Sequence, residues 1–218
     1  MAAPAAQTAV NGTHPTLPRV AFLGPVGTYT HQATSEFFGE CELAPQARIA
    51  DVFTAVSSGS ASYGVVPIEN SSFGPVAETT EQLRTTELSV RGMLALRIGH
   101  ALMASRKAEK GKLKRVFSHE QAIGQCRRYL AERYPNVEII PVNSTAQAAE
   151  RAVDDLEALA ICSLKCAEVY DLDVVDTDIQ DAGEANTTRF IVLSRSTVSL
   201  PSRYPISRPK TVDTAPEQ

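Results

Sequence analysis

The sequence contains no hydrophobic run long enough to cross a membrane. A transmembrane helix needs about 20 consecutive apolar residues, and no apolar segment of this 218-residue chain approaches that length. Residues 1–18 lack the basic start and apolar centre of a secretory signal, and they lack the arginines of a mitochondrial transit peptide. Their small, polar, proline-containing composition predicts a disordered tail. We therefore expect a soluble, cytoplasmic protein with no membrane partner.

Cysteine is scarce, and its spacing does not suggest a metal site. The four cysteines form no Cys-x-x-Cys pair, and no histidine lies at metal-ligand spacing from them. Cys162 and Cys166 are four residues apart and would share one face of a helix. The favoured interpretation is small, buried thiols in a reducing compartment. No metal site is predicted.

An excess of positive charge and the common phosphate-binding motifs are also missing. The chain has 21 Lys and Arg against 25 Asp and Glu, a formal net charge of −4, so no whole-chain basic field favours nucleic acid. The stretch Gly24-x-x-Gly27-Thr28 lacks the third glycine of a dinucleotide-binding fingerprint. It also lacks the Gly-Lys-Ser/Thr of a P-loop. No nucleic-acid partner is expected.

Short β-branched runs alternate with helical segments along the chain. Strands are predicted at residues 19–23, 63–68, 115–118, 137–142, 158–162, 174–176 and 189–193. Helices are predicted at residues 30–38 (capped by Thr30), 52–58 (capped by Asp51), 76–83, 120–133, 145–155 (capped by Ser144 or Thr145) and 164–170. Residues 88–104 fit one long strand or two collinear strands that cross between two lobes. This alternation predicts an α/β protein with mostly parallel sheets.

Hydroxyl-rich turns follow several of the predicted strands. They are residues 27–30, 69–72, 118–119 and 144–145, and the last strand opens with the polar segment 186–189. Taken singly, each fits a helix cap or a strand–helix turn. In α/β sheets, ligands bind at the carboxyl ends of strands, so we expect these turns to form one site. Glu69 and His119 are its candidates for acid–base chemistry.

Five stretches, in this order, resemble the prephenate dehydratase family. They are residues 24–33 (GPVGTYTHQA), 66–76 (VPIENSSFGPV), 118–126 (SHEQA followed by Gln125-Cys126), 144–146 (STA) and 186–190 (NTTRF). Together they span about residues 19–193. The family commonly has serine at the position of Thr30, which preserves the hydroxyl.

The resemblance implies two α/β lobes with a cleft between them, like type II periplasmic binding proteins. Lobe 1 would comprise residues 19–98 and 188–196, and lobe 2 residues 99–187. Residues 1–18 and 197–218 would be tails. The active site would lie in the cleft, where the chain crosses near residues 96–101 and returns near 186–189.

The resemblance also implies a reaction and a set of site residues. The enzyme would be a hydro-lyase that converts prephenate to phenylpyruvate with loss of carbon dioxide and water, without a metal or organic cofactor, in phenylalanine biosynthesis. The family's essential threonine corresponds to Thr188, expected to donate a hydrogen bond to the leaving hydroxyl. The implied substrate-binding residues are Thr28, Tyr29, Thr30, Glu69, Asn70, Ser71, Ser118, His119, Ser144, Thr145, Asn186, Arg189 and Phe190. A homodimer is a family-level expectation.

Three alternatives stay open at this point. Arogenate dehydratase performs the same chemistry with an amino group in place of the side-chain ketone. A two-lobed solute-binding module would bind a small molecule without chemistry, and an effector domain would sense one. Many family members carry a C-terminal ACT-type regulatory domain, and some an N-terminal chorismate mutase. We expect neither, since about 25 residues after the last strand and 18 before the first are too few.

Overall fold

The computed structural model of the chain describes residues 17–181 and 186–198. Its strands are β1 (Arg19–Leu23), β2 (Glu42–Gln46), β3 (Tyr63–Asn70), β4 (Gly74–Pro75), β5 (Ser89–Arg97), β6 (Ala101–Ser105), β7 (Arg115–His119), β8 (Glu138–Val142), β9 (Ala158–Cys162), β10 (Leu172–Asp176) and β11 (Thr187–Ser194). Its α-helices are α1 (Tyr29–Phe38), α2 (Ile49–Ser58), α3 (Ala77–Thr85), α4 (Glu120–Gln125), α5 (Arg127–Arg133), α6 (Thr145–Asp154) and α7 (Lys165–Tyr170), with a 3-10 turn at Lys110–Lys112. The predicted tails, residues 1–18 and 197–218, lie outside the described residues except at 17–18 and 197–198.

The strands form two mixed sheets, which confirms the α/β class. The first sheet has the order β2-β1-β3-β11-β5, with β4 paired to β3, and the second has the order β10-β6-β9-β7-β8. Apolar clusters lie on both faces of each sheet. Helices α1 and α2 contribute to the two clusters of the first sheet, and helices α6 and α4 to the two clusters of the second. Each sheet is therefore covered on both faces, as an apolar α/β sheet requires.

The prediction of mostly parallel sheets was wrong. Strand β1 is parallel to β2 and β3, and β7 is parallel to β8 and β9, but β11 and β6 run antiparallel to both of their neighbours. These two strands are the ones that enter a sheet directly after the chain has crossed from the other sheet. The chain leaves one sheet and enters the other at the edge where the parallel strands end. The first strand after each crossing therefore starts at that edge and runs antiparallel to its neighbours.

Several boundaries differ from the prediction for local reasons. Segment 88–104 forms two strands, β5 and β6, in different sheets. Strand β2 was not predicted, because Pro45 and two polar ends mask its strand character, and such a strand is tolerated at a sheet edge. The predicted helix 120–133 is two helices that meet at Cys126. Helix α1 is capped by Thr28 rather than Thr30, and α2 begins after Arg48, with Asp51 in its first turn.

Candidate active site

A cavity of about 440 Å³ opens where the two sheets meet, a size typical of small-molecule sites. The first sheet and its turns contribute Leu23, Thr28, Tyr29, Thr30, Pro67, Asn70, Phe73, Gly74, Pro75, Val76, Thr188 and Phe190. The crossings and the second sheet contribute Ile98, His100, His119, Gln121, Ala122, Gln125, Asn143, Ser144, Thr145 and Asn186. No lysine, arginine, aspartate or glutamate is among these lining residues of the described chain.

Strand alternation decides which residues of the segment 186–190 face this cavity. Successive side chains of a strand point to opposite faces, and Thr188 and Phe190 line the cavity while Arg189 does not. Arg189 is paired in register with Glu69, and its guanidinium lies 3.0 Å from the Glu69 carboxylate, with both side chains substantially exposed. Thr188 is paired in the same way with Asn70. One cross-strand pair thus faces the cavity and the charged pair faces away.

A chain of amides holds the Thr188 hydroxyl. The Asn70 Nδ2 group donates to Thr188 Oγ1 at 2.8 Å and to Asn186 Oδ1 at 3.0 Å. Asn186 Nδ2 donates in turn to Gln125 Oε1 at 3.3 Å. The Asn70 Oδ1 atom accepts backbone N–H groups of Ser72 and Phe73, at 2.9 and 3.2 Å, so both ends of the amide are fixed. Because Thr188 Oγ1 accepts from Asn70, its own proton is left to donate to a ligand.

Two ten-residue helices begin at the cavity. The Thr28 hydroxyl caps α1 by accepting from His31 N at 3.2 Å, and the Ser144 hydroxyl caps α6 by accepting from Gln147 N at 3.0 Å. The first N–H groups of a helix have no partner within the helix, and they carry positive partial charge. The hydroxyls of Thr30 and Thr145, which line the cavity, have no side-chain hydrogen bond to any described residue. Both helix ends therefore suit carboxylates.

A buried histidine connects the two halves of the site. His100 Nδ1 lies 2.7 Å from the Tyr29 hydroxyl, and His100 Nε2 lies 2.6 Å from Gln125 Oε1. The Tyr29 hydroxyl also lies 3.1 Å from Gly99 O, a second possible acceptor for its single proton. Burial lowers the pKa of His100, an effect that its hydrogen bond to Gln125 partly opposes, and burial raises the pKa of Tyr29 well above its ordinary value. Since Gln125 Oε1 can only accept, His100 carries its proton on Nε2 when neutral, and Nδ1 accepts from Tyr29.

The turn before α1 is held by the second sheet. Ser163 Oγ donates to Gly27 O at 2.6 Å, Cys166 Sγ approaches the same oxygen at 3.2 Å, and Tyr170 Oη donates to Val26 O at 3.1 Å. On the other side of the turn, Gly27 N donates to His31 Nδ1 at 3.0 Å. Gly27 has a φ of 87°, which glycine adopts without cost. We call these contacts the Gly27 clasp, and they set where Thr28 and Tyr29 lie.

The structure brings most of the predicted site residues together, but not all. Ten of them line the cavity: Thr28, Tyr29, Thr30, Asn70, His119, Ser144, Thr145, Asn186, Thr188 and Phe190. Four do not, namely Glu69, Ser71, Ser118 and Arg189. Ser118 is fully buried and donates to Ile161 O at 2.7 Å, while Ser71 Oγ accepts from Thr187 N at 2.9 Å. These two hydroxyls serve the backbone rather than the cavity.

Sequence reasoning missed several lining residues. Gln121 and Gln125 lie inside a family-like stretch but have no predicted role, and His100 lies in the apolar segment 88–104. Asn143 directly precedes the predicted cap Ser144. For His100 there was no usable signal, because its partners Tyr29 and Gln125 are 71 and 25 residues away along the chain.

Comparisons with known proteins point to one family. The family model described as "Prephenate dehydratase" matches residues 20–198, which is most of the chain. The chain belongs to the prephenate dehydratase family. A "Bifunctional chorismate mutase/prephenate dehydratase" of Aquifex aeolicus (strain VF5) is 40% identical over 179 residues, covering 81% of this chain and 49% of that protein. The chain thus spans about half the length of the curated relatives it matches.

Solved structures of similar chains show the same architecture. A prephenate dehydratase from Arthrobacter aurescens, solved in complex with L-Phe, has a TM-score of 0.75 and 34% identity, covering 85% of this chain and 62% of that one. GqqA, described as a novel type of quorum quenching acylase, has a TM-score of 0.74 and 28% identity, covering 84% of this chain and 66% of that one.

Two features are absent from the described residues. No group of three or more His, Cys, Asp or Glu side chains is placed to hold a metal ion. No helix in the described part of the chain is both long and apolar enough to cross a membrane.

Proposed function

We propose that this chain catalyses the decarboxylative dehydration of prephenate to phenylpyruvate in phenylalanine biosynthesis. The observation that carries the proposal is the Asn70–Thr188 hydrogen bond at the floor of the cavity. This bond fixes the direction of the Thr188 hydroxyl in a site built from neutral donors. The chain that carries it belongs to the prephenate dehydratase family.

The cavity suits a substrate with two carboxylates. The helix ends of α1 and α6 lie on opposite sheets, and each offers N–H groups and an unpartnered threonine hydroxyl, Thr30 or Thr145. We assign the pyruvyl carboxylate to one helix end. The ring carboxylate must leave as carbon dioxide, so it gains from weak solvation and from the absence of a strong counter-ion. The missing cationic side chains in the described lining fit that requirement.

The chemistry places one demand on the protein beyond binding. As the ring carboxylate leaves, its bonding electrons move through the diene, and the ring hydroxyl departs from the far end as the ring aromatises. The Thr188 hydroxyl accepts a hydrogen bond from Asn70, so its own proton is available. Thr188 donates that proton in a hydrogen bond to the departing ring oxygen. A threonine hydroxyl is too weak an acid to be the ultimate source of the proton.

The test is the turnover of prephenate by variants of Thr188. Loss of one preorganised donor typically costs about 2.7–4 kcal/mol, or about 10²–10³ in kcat, so Thr188→Ala should fall by that factor and Thr188→Ser should retain more activity. The matched control is Thr54→Ala, which removes a hydroxyl bound to Ala50 O on the exposed side of α2 and should keep wild-type kcat. A folded Thr188→Ala variant with wild-type turnover would remove this role.

We extend the proposal to the organisation of the protein. Lobe 1 would comprise residues 19–98 and 188–196, and lobe 2 residues 99–187, with the cavity between them. A cytoplasmic location is supported by the four cysteines, all free, as expected in a reducing compartment. The expected homodimer stays a prediction, to be checked by light scattering after size-exclusion chromatography.

A further inference from the structure

A second cavity, of about 200 Å³, lies against the crossing between β5 and β6. It is lined by Gln32, Arg97, Gly99, His100, Ala101, Leu164, Thr177 and Asp178. Within the described chain, His100 is the one residue that lines both this cavity and the larger one. His100 therefore stands between the active site and a second opening to solvent.

The reaction consumes one proton in each turnover. Breaking the bond to carbon dioxide and the bond to the ring hydroxyl would release hydroxide from the prephenate dianion, and a proton converts it to water. The Glu69 carboxylate is not placed to supply it, since Glu69 lies outside the cavity lining and pairs with Arg189. Titratable side chains that do line the cavity are Tyr29, His100 and His119.

We propose that Tyr29 and His100 together deliver this proton. Protonated His100 donates from Nδ1 to the Tyr29 oxygen, and Tyr29 passes its own proton to the departing hydroxyl as the C–O bond breaks. His100 is left neutral with its proton on Nε2, held by Gln125, and it takes a new proton from solvent through the second cavity. One proton enters and one water leaves, so the sequence balances. This inference rests on the proposed function.

The geometry around Tyr29 suits a relay rather than a lone phenol. Its oxygen lies 3.1 Å from Gly99 O and 2.7 Å from His100 Nδ1, and Nδ1 accepts from the phenol when the ring is neutral and donates to it when the ring is protonated. Burial raises the pKa of Tyr29 well above its ordinary value, so the phenol does not persist as phenolate and must be reprotonated as it donates. The nearest group able to do this is His100.

The hydrogen-bond partners of His100 within the described chain are all uncharged, so a bound substrate can decide whether its ring is protonated. Its ring bonds Tyr29 of α1 and the neutral amide of Gln125 in α4, and its backbone N–H donates to the neutral Gln180 side chain at 2.8 Å. The ion pair of Arg97 and Asp178, 3.0 Å apart, lines the second cavity. Burial lowers the pKa of His100 in the free protein. A dianionic substrate close by favours the protonated form, so binding primes the relay.

The experiment compares pH profiles of prephenate turnover between pH 5 and 9 for the wild type, His100→Gln, Tyr29→Phe and His119→Gln. In the wild type, kcat/KM should fall as pH rises through the pKa of free His100, and the corresponding fall in kcat should lie at higher pH. General acid catalysis is worth roughly 10²–10⁴-fold, so His100→Gln and Tyr29→Phe should lose at least about 100-fold in kcat at pH 6 and should flatten this limb.

Matched controls separate the possible failures. Tyr129→Phe removes a partly buried phenol hydroxyl that donates to Asp176 at 2.7 Å. Tyr129 lies outside the cavity lining, so this variant should keep the wild-type pH profile. Tyr29→Phe keeps the ring packed against His100 and decides the test even if His100→Gln does not fold. Wild-type protein that forms no phenylpyruvate would sink the proposed function. An active wild type with an unaltered Tyr29→Phe profile, or a limb lost only in His119→Gln, would overturn the relay alone.

Discussion

Replacing Gly27 by alanine should loosen the Gly27 clasp between the two sheets. A Cβ at this position would lie 2.9 Å from Tyr170 Cε2 and 3.0 Å from Cys166 Sγ, both closer than carbon–carbon or carbon–sulfur contacts allow. The backbone φ of 87° adds a second penalty for any L-residue with a side chain. Relief requires the turn to move away from α7, and Thr28 and Tyr29 would move with it.

The expected magnitude follows from these two terms. A left-handed conformation costs a non-glycine residue roughly 1–2 kcal/mol, and overpacking by one methyl group typically costs about 1–3 kcal/mol. The free energy of unfolding should therefore fall by about 2–5 kcal/mol. At about 2–4 °C per kcal/mol for a chain of this size, Tm should drop by roughly 4–20 °C. Because Thr28 and Tyr29 line the cavity, KM for prephenate should rise as well.

The control for this prediction is Gly39→Ala. Gly39 also has a positive φ, 64°, with a ψ of −120° that lies outside the left-handed helical region, and a Cβ there would meet nothing within 4 Å, so this variant carries a conformational penalty of its own without a steric one. Chemical denaturation of both variants, with prephenate kinetics on each, separates the two terms. If Gly27→Ala lowers the free energy of unfolding by less than about 2 kcal/mol and binds prephenate normally, the clasp does not hold the turn as described.

Two further predictions concern acid stability and the charged pair beside the cavity. Burial lowers the pKa of both His31 and His100 below the ordinary value of about 6.5. As pH falls, the unfolded state therefore binds protons before the folded state does, and the free energy of unfolding should decline from about pH 6.5 downward. Melting curves that coincide at about pH 7.5 and about pH 5.5 would contradict this. Arg189→Gln removes an exposed ion pair with Glu69, which is worth at most about 1 kcal/mol of stability. Because Arg189 lies outside the cavity lining, kcat/KM for prephenate should stay close to the wild-type value, and a loss of roughly 100-fold or more would restore Arg189 as a carboxylate ligand.

The strands and the site were predictable where local pattern decides the structure. Strands β1 and β9 have the predicted bounds, because each is a short apolar run buried in its sheet. The chemistry of the polar turns also predicted ten of the residues that line the cavity. The outward direction of Arg189 was open to prediction as well, since a strand that points Thr188 inward must point its neighbour outward.

What the sequence does not reveal depends on contacts between distant segments. The reversed direction of β11 follows from the crossing between sheets, which no local pattern encodes. His100 follows an apolar strand and resembles an ordinary core histidine; only its bonds to Tyr29 and Gln125 give it a place in the site. Strand β2 is specified by its pairing with β1 rather than by its own residues.

The central claim is tested most directly by incubating the purified protein with prephenate and measuring phenylpyruvate and carbon dioxide together. The proposed function predicts that both appear in equal amounts and that Thr188→Ala suppresses both by about 10²–10³-fold. Well-folded protein that binds prephenate but releases neither product would contradict the claim and favour a binding module without chemistry. A higher kcat/KM for arogenate would reassign the substrate.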